Sequence, residues 1–307
     1  MTLIDLTILT GCDFRINGAG SHECDFPAEY EHLPTLTASK ITFTNSADVD
    51  RQVREQLNSG VGLYTLDTDL LKALRPDVIV TQSLCQVCSV DYCMVENIVL
   101  GMDPPPVLVD TNPSSLEDVM NDVRKIGDAL RLSTAAAVAI ESLQTRIRYA
   151  RQRASESANK VVNVAFCEWI DPIFPGGHWT PQLIEAAGGS HPLNPSKNGG
   201  AAAPSAAISH ETFISSDPDV IIIAPCGLSL ESTKKELAPL VSAPWWKELR
   251  AVRSGRVWLV DGNQMFNRPG PRLVDALEWL VSILHGSAED DYLTEAARNF
   301  PAKRLCT

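Results

Sequence analysis

The sequence predicts an α/β protein with two lobes, one long backbone helix that joins them, and a ligand cleft between the lobes. The first observation is a helical pattern over residues 134–158, where apolar residues recur at steps of three and four. At 1.5 Å per residue this helix would extend roughly 37 Å, longer than a connection between neighbouring strands requires. The second observation is that strand and helix patterns alternate on both sides of it. An ordinary crossover helix inside one larger sheet is the alternative interpretation.

These patterns divide the chain of 307 residues into four parts. Residues 1–113 are predicted to form an N-terminal α/β lobe, and residues 114–160 a helical connection that includes the long helix. Residues 161–286 are predicted to form a C-terminal α/β lobe, and residues 287–307 a polar, peripheral tail.

Short apolar runs and amphipathic patterns predict the elements of the first lobe. The run that begins at Val78 is continuously apolar, which is typical of a parallel strand buried on both faces. Ser114 and Ser115 are suitable N-caps for the helix that follows them. The predicted strands are residues 41–44, 77–81 and 107–109. The predicted helices are residues 48–58, 67–74 and 91–100.

The second lobe repeats the alternation, and Asp217-Pro218-Asp219 before one strand resembles Arg75-Pro76-Asp77 in the first lobe. This weak internal repeat indicates two similar lobes. Residues 194–207 are rich in Gly, Ala, Pro and Ser and predict a flexible surface loop. The predicted strands are residues 161–166, 220–224 and 256–261. The predicted helices are residues 181–187 and 272–285.

The composition argues against several classes of function. Basic residues number 26 and acidic residues 38, which gives a net charge of −12. A nucleic-acid-binding protein is expected to carry a basic stripe, and an anionic membrane surface would repel this chain. No run approaches the roughly 18 apolar residues of a membrane-spanning helix, so none is predicted.

The segment Leu9-Thr10-Gly11-Cys12 has the form of a lipoprotein cleavage box. A secretory leader also needs a positive n-region and an apolar core, whereas no Lys or Arg precedes Cys12 and Asp5 interrupts the apolar run. The chain as written is therefore predicted to have no export signal and to be cytoplasmic. It would be periplasmic or otherwise extracytoplasmic if its true N-terminus lay further upstream.

Five polar clusters follow predicted strands, at the positions where open α/β sheets bind ligands. Both lobes contribute to this distribution, which is more specific than any single motif. The clusters are residues 21–25, 82–88, 167–172, 224–227 and 261–271.

The eight cysteines are too sparse for a disulfide scaffold in a chain of this length. Five of them lie at predicted strand ends or in loops, which fits reduced, functional thiols better than core packing. These five are Cys24, Cys85, Cys88, Cys167 and Cys226.

A metal site is one interpretation of these clusters. The Cys85–Cys88 pair has no second pair to complete a structural zinc site. Thiolates and imidazoles from several loops still suit a transition metal. The candidate metal ligands are His22, Cys24, Cys85, Cys88 and His178. No GxSxG, P-loop or GxGxxG motif is present.

In this order the clusters resemble one family, the cobalamin-binding members of the ABC-transporter substrate-binding proteins. These have the periplasmic iron-siderophore/cobalamin-binding fold with a rigid helical backbone. The resemblance runs from about Gly11 to His285. The residues that carry it are 21–27 (SHECDFP), 81–88 (TQSLCQVC), 168–172 (EWIDP), 177–179 (GHW), 217–227 (DPDVIIIAPCG), 261–263 (DGN) and 268–272 (RPGPR).

The resemblance implies two Rossmann-like lobes and non-enzymatic binding of cobalamin, or of a related corrinoid or metal chelate, between them. It also implies a monomer that does not span the membrane and works with an ABC permease in uptake. Aromatic rings would form apolar walls, polar side chains would bind the amides of a corrin ring, and His22 or a cysteine would approach the cobalt. The implied ligand-binding residues are Ser21, His22, Glu23, Gln82, Cys85, Glu168, Trp169, His178, Trp179, Cys226, Asn263, Phe266 and Arg268.

Two alternatives stay open. One is a binder of a transition metal or an iron chelate, such as a siderophore or haem, that uses the Cys and His residues. The other is an intracellular, thiol-dependent corrinoid-processing enzyme. Members of the family usually begin with a further strand and helix, whereas about ten residues precede the matching region here. We therefore expect the first lobe to lack its opening strand.

Overall fold

The computed structural model describes residues 32–60, 62–83, 92–157, 160–198, 200–285 and 295–305. The chain divides into two compact units. The first comprises residues 1–113 and 117–141, and the second comprises residues 114–116 and 142–307. The fourfold division predicted from the sequence remains a prediction.

The described part of the first unit contains two pairs of strands. The strands are β1 (Thr37–Ser39), β2 (Tyr64–Leu66), β3 (Val78–Gln82) and β4 (Val107–Thr111). The helices are α1 (Ser46–Asn58), α2 (Thr68–Leu74), α3 (Tyr92–Leu100) and α4 (Leu116–Ala129), the last of which begins in the second unit. Strands β1 and β2 pair antiparallel, and β3 and β4 pair parallel. Asn45 and Asp67 cap the amino ends of α1 and α2, and their side chains accept hydrogen bonds from the backbone N–H groups of Asp48 and Leu70.

The prediction of a strand at residues 41–44 is wrong. The strand lies earlier, at β1, and the backbone of Thr42 pairs instead with the side-chain amide of Gln52 in α1. Both backbone groups of Thr42 thus have partners outside a sheet. The β-branched residues of this segment therefore do not form a strand, despite their β-propensity. The other helices and strands predicted for this part of the chain agree with the structure to within two residues, while β2 was not predicted.

The long helix, α5, runs from Ser133 to Ser157 and has 25 residues, which confirms the prediction for residues 134–158 to within one residue at its start. Its buried face repeats the predicted spacing, and the division between the two units falls between Glu141 and Ser142 within it. The buried residues of this face are Ala136, Ala139, Ile140, Leu143, Ile147, Ala150 and Ala154.

The second unit is built on a mostly parallel sheet. Its strands are β5 (Val162–Trp169), β6 (Phe174–Pro175), β7 (Gly189–Ser190), β8 (Val220–Ile223), β9 (Val257–Val260) and β10 (Ala302–Arg304). The order across the sheet is β10-β9-β8-β5-β6, and β7 also pairs with β5. The central strand β8 is fully buried, as its continuous apolar sequence predicts.

Helices and aromatic side chains cover this sheet. The helices are α6 (Thr180–Ala186), α7 (His210–Ser216), α8 (Leu230–Glu236), α9 (Ala238–Ser242), α10 (Arg250–Arg253), α11 (Arg272–His285) and α12 (Glu295–Arg298), with a 3₁₀ helix at Pro244–Glu248. The rings of Phe166, Phe266, Trp279 and Phe300 pack edge-to-face or stacked, with neighbouring centroids 4.6–6.1 Å apart. None of the helices in the described ranges is both long enough and apolar enough to cross a membrane.

Two expectations for the second unit are wrong. The C-terminal tail is not peripheral, because β10 pairs with β9 while Ala297 and Phe300 are buried. Cys167 is not a loop thiol, because it lies inside β5 with 2% of its surface exposed. Burial raises the pKa of its thiol to about 12, so Cys167 is an inert core residue at neutral pH.

Candidate ligand-binding site

Three of the five predicted clusters meet at the carboxyl ends of β5, β8 and β9. The backbone N–H of Cys226, after β8, donates to the carbonyl oxygen of Glu168 in β5 at 3.1 Å. The loops after β8 and β9 are joined by the N–H of Gly227, which donates to Gly262 O at 3.4 Å. The predicted gathering of these loops at one sheet edge is thus found in the second unit.

The loops after β8 and β9 pack with almost no space between them. A Cβ atom on Gly262 would lie 2.0 Å from the carbonyl oxygen of Pro225, so only glycine fits at this position. The side-chain amide of Asn267 donates to Ala224 O at 2.8 Å and to Gly262 O at 3.0 Å. Asn267 therefore holds the two loops in one arrangement.

The loop after β9 presents a pair of polar side chains. The buried carboxylate of Asp261 accepts from the N–H groups of Asn263 and Gln264, both at 3.1 Å, which shapes the start of the loop. The guanidinium of Arg268 donates to Asn263 Oδ1 at 2.9 Å. Asn263 and Arg268 are both half-buried, so this edge offers an amide and a guanidinium held together.

The end of β5 is tied to the turn that precedes α6. Glu168 Oε2 accepts from the backbone N–H of Gly177 at 3.0 Å. A Cβ atom on Gly177 would lie 2.7 Å from the backbone nitrogen of Ser205, so this turn also requires glycine. Glu168 is half-buried, and its carboxylate connects the end of β5 to this turn.

His178 follows Gly177 and has a left-handed backbone conformation, with φ of 51°. Its N–H donates to Ala203 O at 3.4 Å, and its carbonyl oxygen accepts from the N–H of Ala202 at 2.8 Å. Its imidazole stacks on the indole of Trp179, with ring centroids 5.7 Å apart. Burial lowers the pKa of His178, so the ring is neutral at pH 7.

Residues 194–207 form an irregular segment in their described part, as predicted, but hydrogen bonds tie this segment to the turn that holds His178. The side-chain amide of Asn194 donates to Gly176 O at 3.1 Å and to Ala203 O at 2.9 Å. Ser205 Oγ donates to Pro175 O at 2.5 Å. These bonds give the segment a defined path beside the site, which its composition did not predict.

Four further predicted site residues have different environments. Trp169 is half-buried at the end of β5, and Cys226 is exposed after β8. Trp179 and Phe266 are buried, with 5% and 1% of their surfaces exposed, and they pack in the core of the second unit. The structure gives these two residues a packing role, and their contact with a ligand stays a prediction.

Gln82 is the last residue of β3 and is half-buried in the first unit, in register with Thr111 of β4. Beside it, Ser83 Oγ donates to Asp110 Oδ2 at 2.6 Å, and Thr111 Oγ1 donates to Thr81 O at 2.9 Å. This strand end is therefore also polar. The remaining predicted site residues, Ser21, His22, Glu23, Cys24, Cys85 and Cys88, lie outside the described residues.

The metal ligands predicted from the sequence include one described residue, His178. Within the described ranges, no group of three or more His, Cys, Asp or Glu side chains is arranged to hold a metal ion. The proposed metal set as a whole stays a prediction. Sequence reasoning missed the structural roles of Asn194 and Asn267, since an asparagine in a polar loop gives no signal of which distant carbonyl it will meet.

Comparisons with known proteins agree with this architecture. Residues 35–263 match the family described as periplasmic binding protein. No curated protein matches the sequence. Among solved structures, a periplasmic heme binding protein from Pseudomonas aeruginosa is 18% identical with a TM-score of 0.66, over 92% of this chain and 88% of the other.

Two further structures are similar over most of their lengths. The periplasmic vitamin B12 binding protein BtuF of Vibrio cholerae is 18% identical with a TM-score of 0.62, over 91% of this chain and 92% of the other. The periplasmic heme-binding protein RhuT from Roseiflexus sp. RS-1 is 18% identical with a TM-score of 0.64, over 91% and 93%. At this identity the likeness concerns the fold, and the family match covers well over half of the chain. The predicted resemblance is confirmed, and the chain belongs to the periplasmic binding protein family.

Proposed function

We propose that the protein is the non-enzymatic substrate-binding component of an ABC uptake system and that it binds a corrinoid, with cobalamin as the first choice. The observation that carries this proposal is the polar edge formed by Glu168, Asn263 and Arg268, with the half-buried Trp169 as the last residue of β5. Glycine contacts and backbone hydrogen bonds hold this edge, which lowers the entropy lost when a ligand binds.

The chemistry of the edge suits a wide, flat ligand with a polar fringe. A corrin ring carries amide groups around its rim. Arg268 and Asn263 can donate to amide oxygens, Glu168 can accept from amide nitrogens, and the ring of Trp169 offers an apolar surface. Cobalamin and related corrinoids combine both features, which is why we rank them first.

Heme or another iron chelate is the second candidate. Two of the structures similar in fold are described as heme-binding proteins. The guanidinium of Arg268 would pair with a carboxylate of such a ligand even more favourably than with an amide. Either ligand would be passed to an ABC permease, so we also propose that the protein works outside the cytoplasm.

Titration of the purified protein with hydroxocobalamin and with hemin, followed by visible absorption, tests this function. We expect saturable binding that weakens roughly tenfold or more in Arg268→Met, since a charged hydrogen bond to the ligand is lost. The matched control is Arg253→Met on α10, an exposed arginine near the amino end of β8. That variant should bind as the wild type does.

The outcomes separate the candidates. Binding of hydroxocobalamin that depends on Arg268 supports the first choice, while binding of hemin alone supports the second. Equal binding by both arginine variants would show that the ligand lies elsewhere on the protein. Absence of saturable binding to either compound would overturn the proposed function.

A further inference from the structure

The parallel pair of strands β3 and β4 in the first unit has a free edge along β4. The backbone N–H of Val107 donates to Asp77 O at 2.9 Å, so the backbone groups of Val107 point toward β3. Because these groups alternate in direction along a strand, those of Leu108 and Asp110 point away from β3. No other strand among the described residues pairs with β4. One side of β4 is therefore open to a further strand.

The backbone groups on this open side are mostly unpaired. Asp110 O accepts from Lys125 Nζ at 3.2 Å. Within the described ranges, no bond is found for the N–H of Asp110 or for either backbone group of Leu108. A row of unpaired N–H and C=O groups at a sheet edge is a template for strand addition.

The surface beside this edge is apolar. Val107 has 53% of its surface exposed, although a strand of a parallel sheet is ordinarily covered on both faces. A groove of about 950 Å³ runs along β4, and its lining includes Val107, Val109 and Leu130. In the second unit, by contrast, β10 covers β9. The groove along β4 thus offers apolar contacts as well as hydrogen bonds to an added strand.

The sequence of β4 is complementary to a second copy of itself. With a two-fold axis at Val109, Leu108 of one copy lies opposite Asp110 of the other, and the outward backbone groups of these residues exchange hydrogen bonds as in any antiparallel pair. On the other face of the strand, Val109 meets its own copy and Val107 meets Thr111. The exposed valine is covered in this arrangement.

The charges along the groove also match under the same two-fold axis. Asp77 lies at the amino end of β4, and Lys125 lies at its carboxyl end, where it bonds Asp110. The axis reverses these ends, so Lys125 of each copy faces the end that carries Asp77 of the other. Opposite charges attract across the interface and favour this orientation of the two strands. A second copy therefore supplies apolar, hydrogen-bonding and charged partners together.

We propose that the protein self-associates as a two-fold dimer in which β4 of one copy pairs antiparallel with β4 of the other. The interface involves the first unit alone, and the inference is independent of the proposed function. It differs from the monomer that the family resemblance implies.

Sedimentation equilibrium over a wide range of protein concentration tests the dimer. The mass of the wild type should rise from that of one chain toward twice that value. Val107→Lys should raise the dissociation constant of the dimer roughly tenfold or more, because it places two charged side chains in an apolar interface. The matched control is Val161→Lys, which alters a valine in the second unit with 64% of its surface exposed. That variant should associate as the wild type does.

Hydrogen exchange locates the interface. The amides of Leu108 and Asp110 should exchange more slowly in concentrated than in dilute wild type, and at one fast rate in Val107→Lys. Leu108→Pro is the second variant if Val107→Lys does not fold. It removes an outward N–H while the bonds from β4 to β3 are kept, and proline is tolerated at such a position of an edge strand. It should also remain monomeric.

Concentration-dependent association that is weakened in the β4 variants, with slowed exchange at Leu108 and Asp110, supports the proposal. A wild type with the mass of one chain at every concentration overturns it, as does association that Val107→Lys leaves unchanged. Slowed exchange confined to β3 would place the contact on another strand and overturn the proposed pairing. Slow exchange of both amides at all concentrations would show that the edge is covered within one chain, which also overturns it.

Discussion

The indole N–H of Trp179 donates a 2.6 Å hydrogen bond to the backbone carbonyl oxygen of Phe266. Phe266 itself has a left-handed conformation, with φ of 64°, as does His178, the residue before Trp179. One buried bond thus joins the turn before α6 to the loop after β9. The bond therefore lies next to one residue with a positive φ and ends on another.

Trp179→Phe should destabilise the protein by about 2 kcal/mol. The substitution leaves the buried carbonyl of Phe266 without a donor and removes part of the packed indole. The free energy of unfolding in urea measures the effect. The control is Trp245→Phe, because the half-buried Trp245 makes ring contacts with His210 and Phe213 and no hydrogen bond to its indole is found among the described residues. Equal losses in the two variants would contradict the role of the bond.

Gly262→Ala should cost about 3 kcal/mol and should also weaken ligand binding. The added Cβ atom would lie 2.0 Å from Pro225 O, and the obstacle is backbone that cannot turn away. The loops after β8 and β9 would have to separate, which would move Asn263 and Arg268. Unfolding in urea and titration with hydroxocobalamin would show the two effects. Gly62→Ala should be neutral, because a Cβ atom on Gly62 meets nothing within 4 Å.

Arg146→Met should destabilise the protein by about 3 kcal/mol. The guanidinium of Arg146 on α5 donates to both carboxylate oxygens of Glu278 at 2.8 Å and to Asp275 at 2.6 Å, so its loss removes these charged hydrogen bonds from two largely buried carboxylates on α11. The double variant Arg146→Met, Glu278→Met should recover a large part of that loss, since it removes the buried charge as well as its partner. A double-mutant cycle from urea unfolding measures this, and purely additive losses would contradict the coupling.

His191 should make the protein less stable in mild acid. Its ring is fully buried and bonds Val164 O at 2.9 Å, and burial lowers its pKa from 6.5 to about 4. The unfolded chain therefore binds a proton below about pH 6.5 that the folded chain accepts only near pH 4. As the pH decreases across that window, protonation of His191 in the unfolded chain lowers the free energy of unfolding by about 3 kcal/mol. Above the window, His191 does not change the stability.

Urea unfolding of the wild type and of His191→Asn, at neutral pH and at about pH 5, isolates this term because other groups titrate alike in both proteins. The asparagine amide can take the place of the ring nitrogen near Val164 O and has no charge to gain. The variant should lose less stability on acidification than the wild type does. A parallel pH dependence of the two proteins would show that His191 is not responsible.

Local patterns predicted the parts of the fold that depend on neighbours in sequence. Apolar residues of α5 recur every three to four positions, and β8 is a continuous apolar run that is buried. Both elements could therefore be recognised from the sequence directly. Strand β1 has only three residues. In the nearby β-branched run, the backbone of Thr42 bonds the side chain of Gln52 and not another strand, so β-propensity indicated the wrong segment.

The candidate site could be located from the sequence but not assembled. Strand ends indicated Glu168, Asn263 and Arg268, because ligands of α/β sheets bind at those ends. The bond from Trp179 to Phe266 spans 87 residues of chain, and no local signal marks either partner as half of it. The same holds for Gly262, whose need for glycine appears only when Pro225 lies against it.

The C-terminal strand β10 has a consequence for how the protein behaves at high concentration. It covers β9 along its length, and its exposed Lys303 and Arg304 present charge where another copy could otherwise add a strand. On the opposite side, the short strands β6 and β7 cover the two ends of β5. The apolar centre of the sheet is thereby shielded from intermolecular strand addition. Strand β10 therefore opposes aggregation, which is a role separate from the recognition of a ligand.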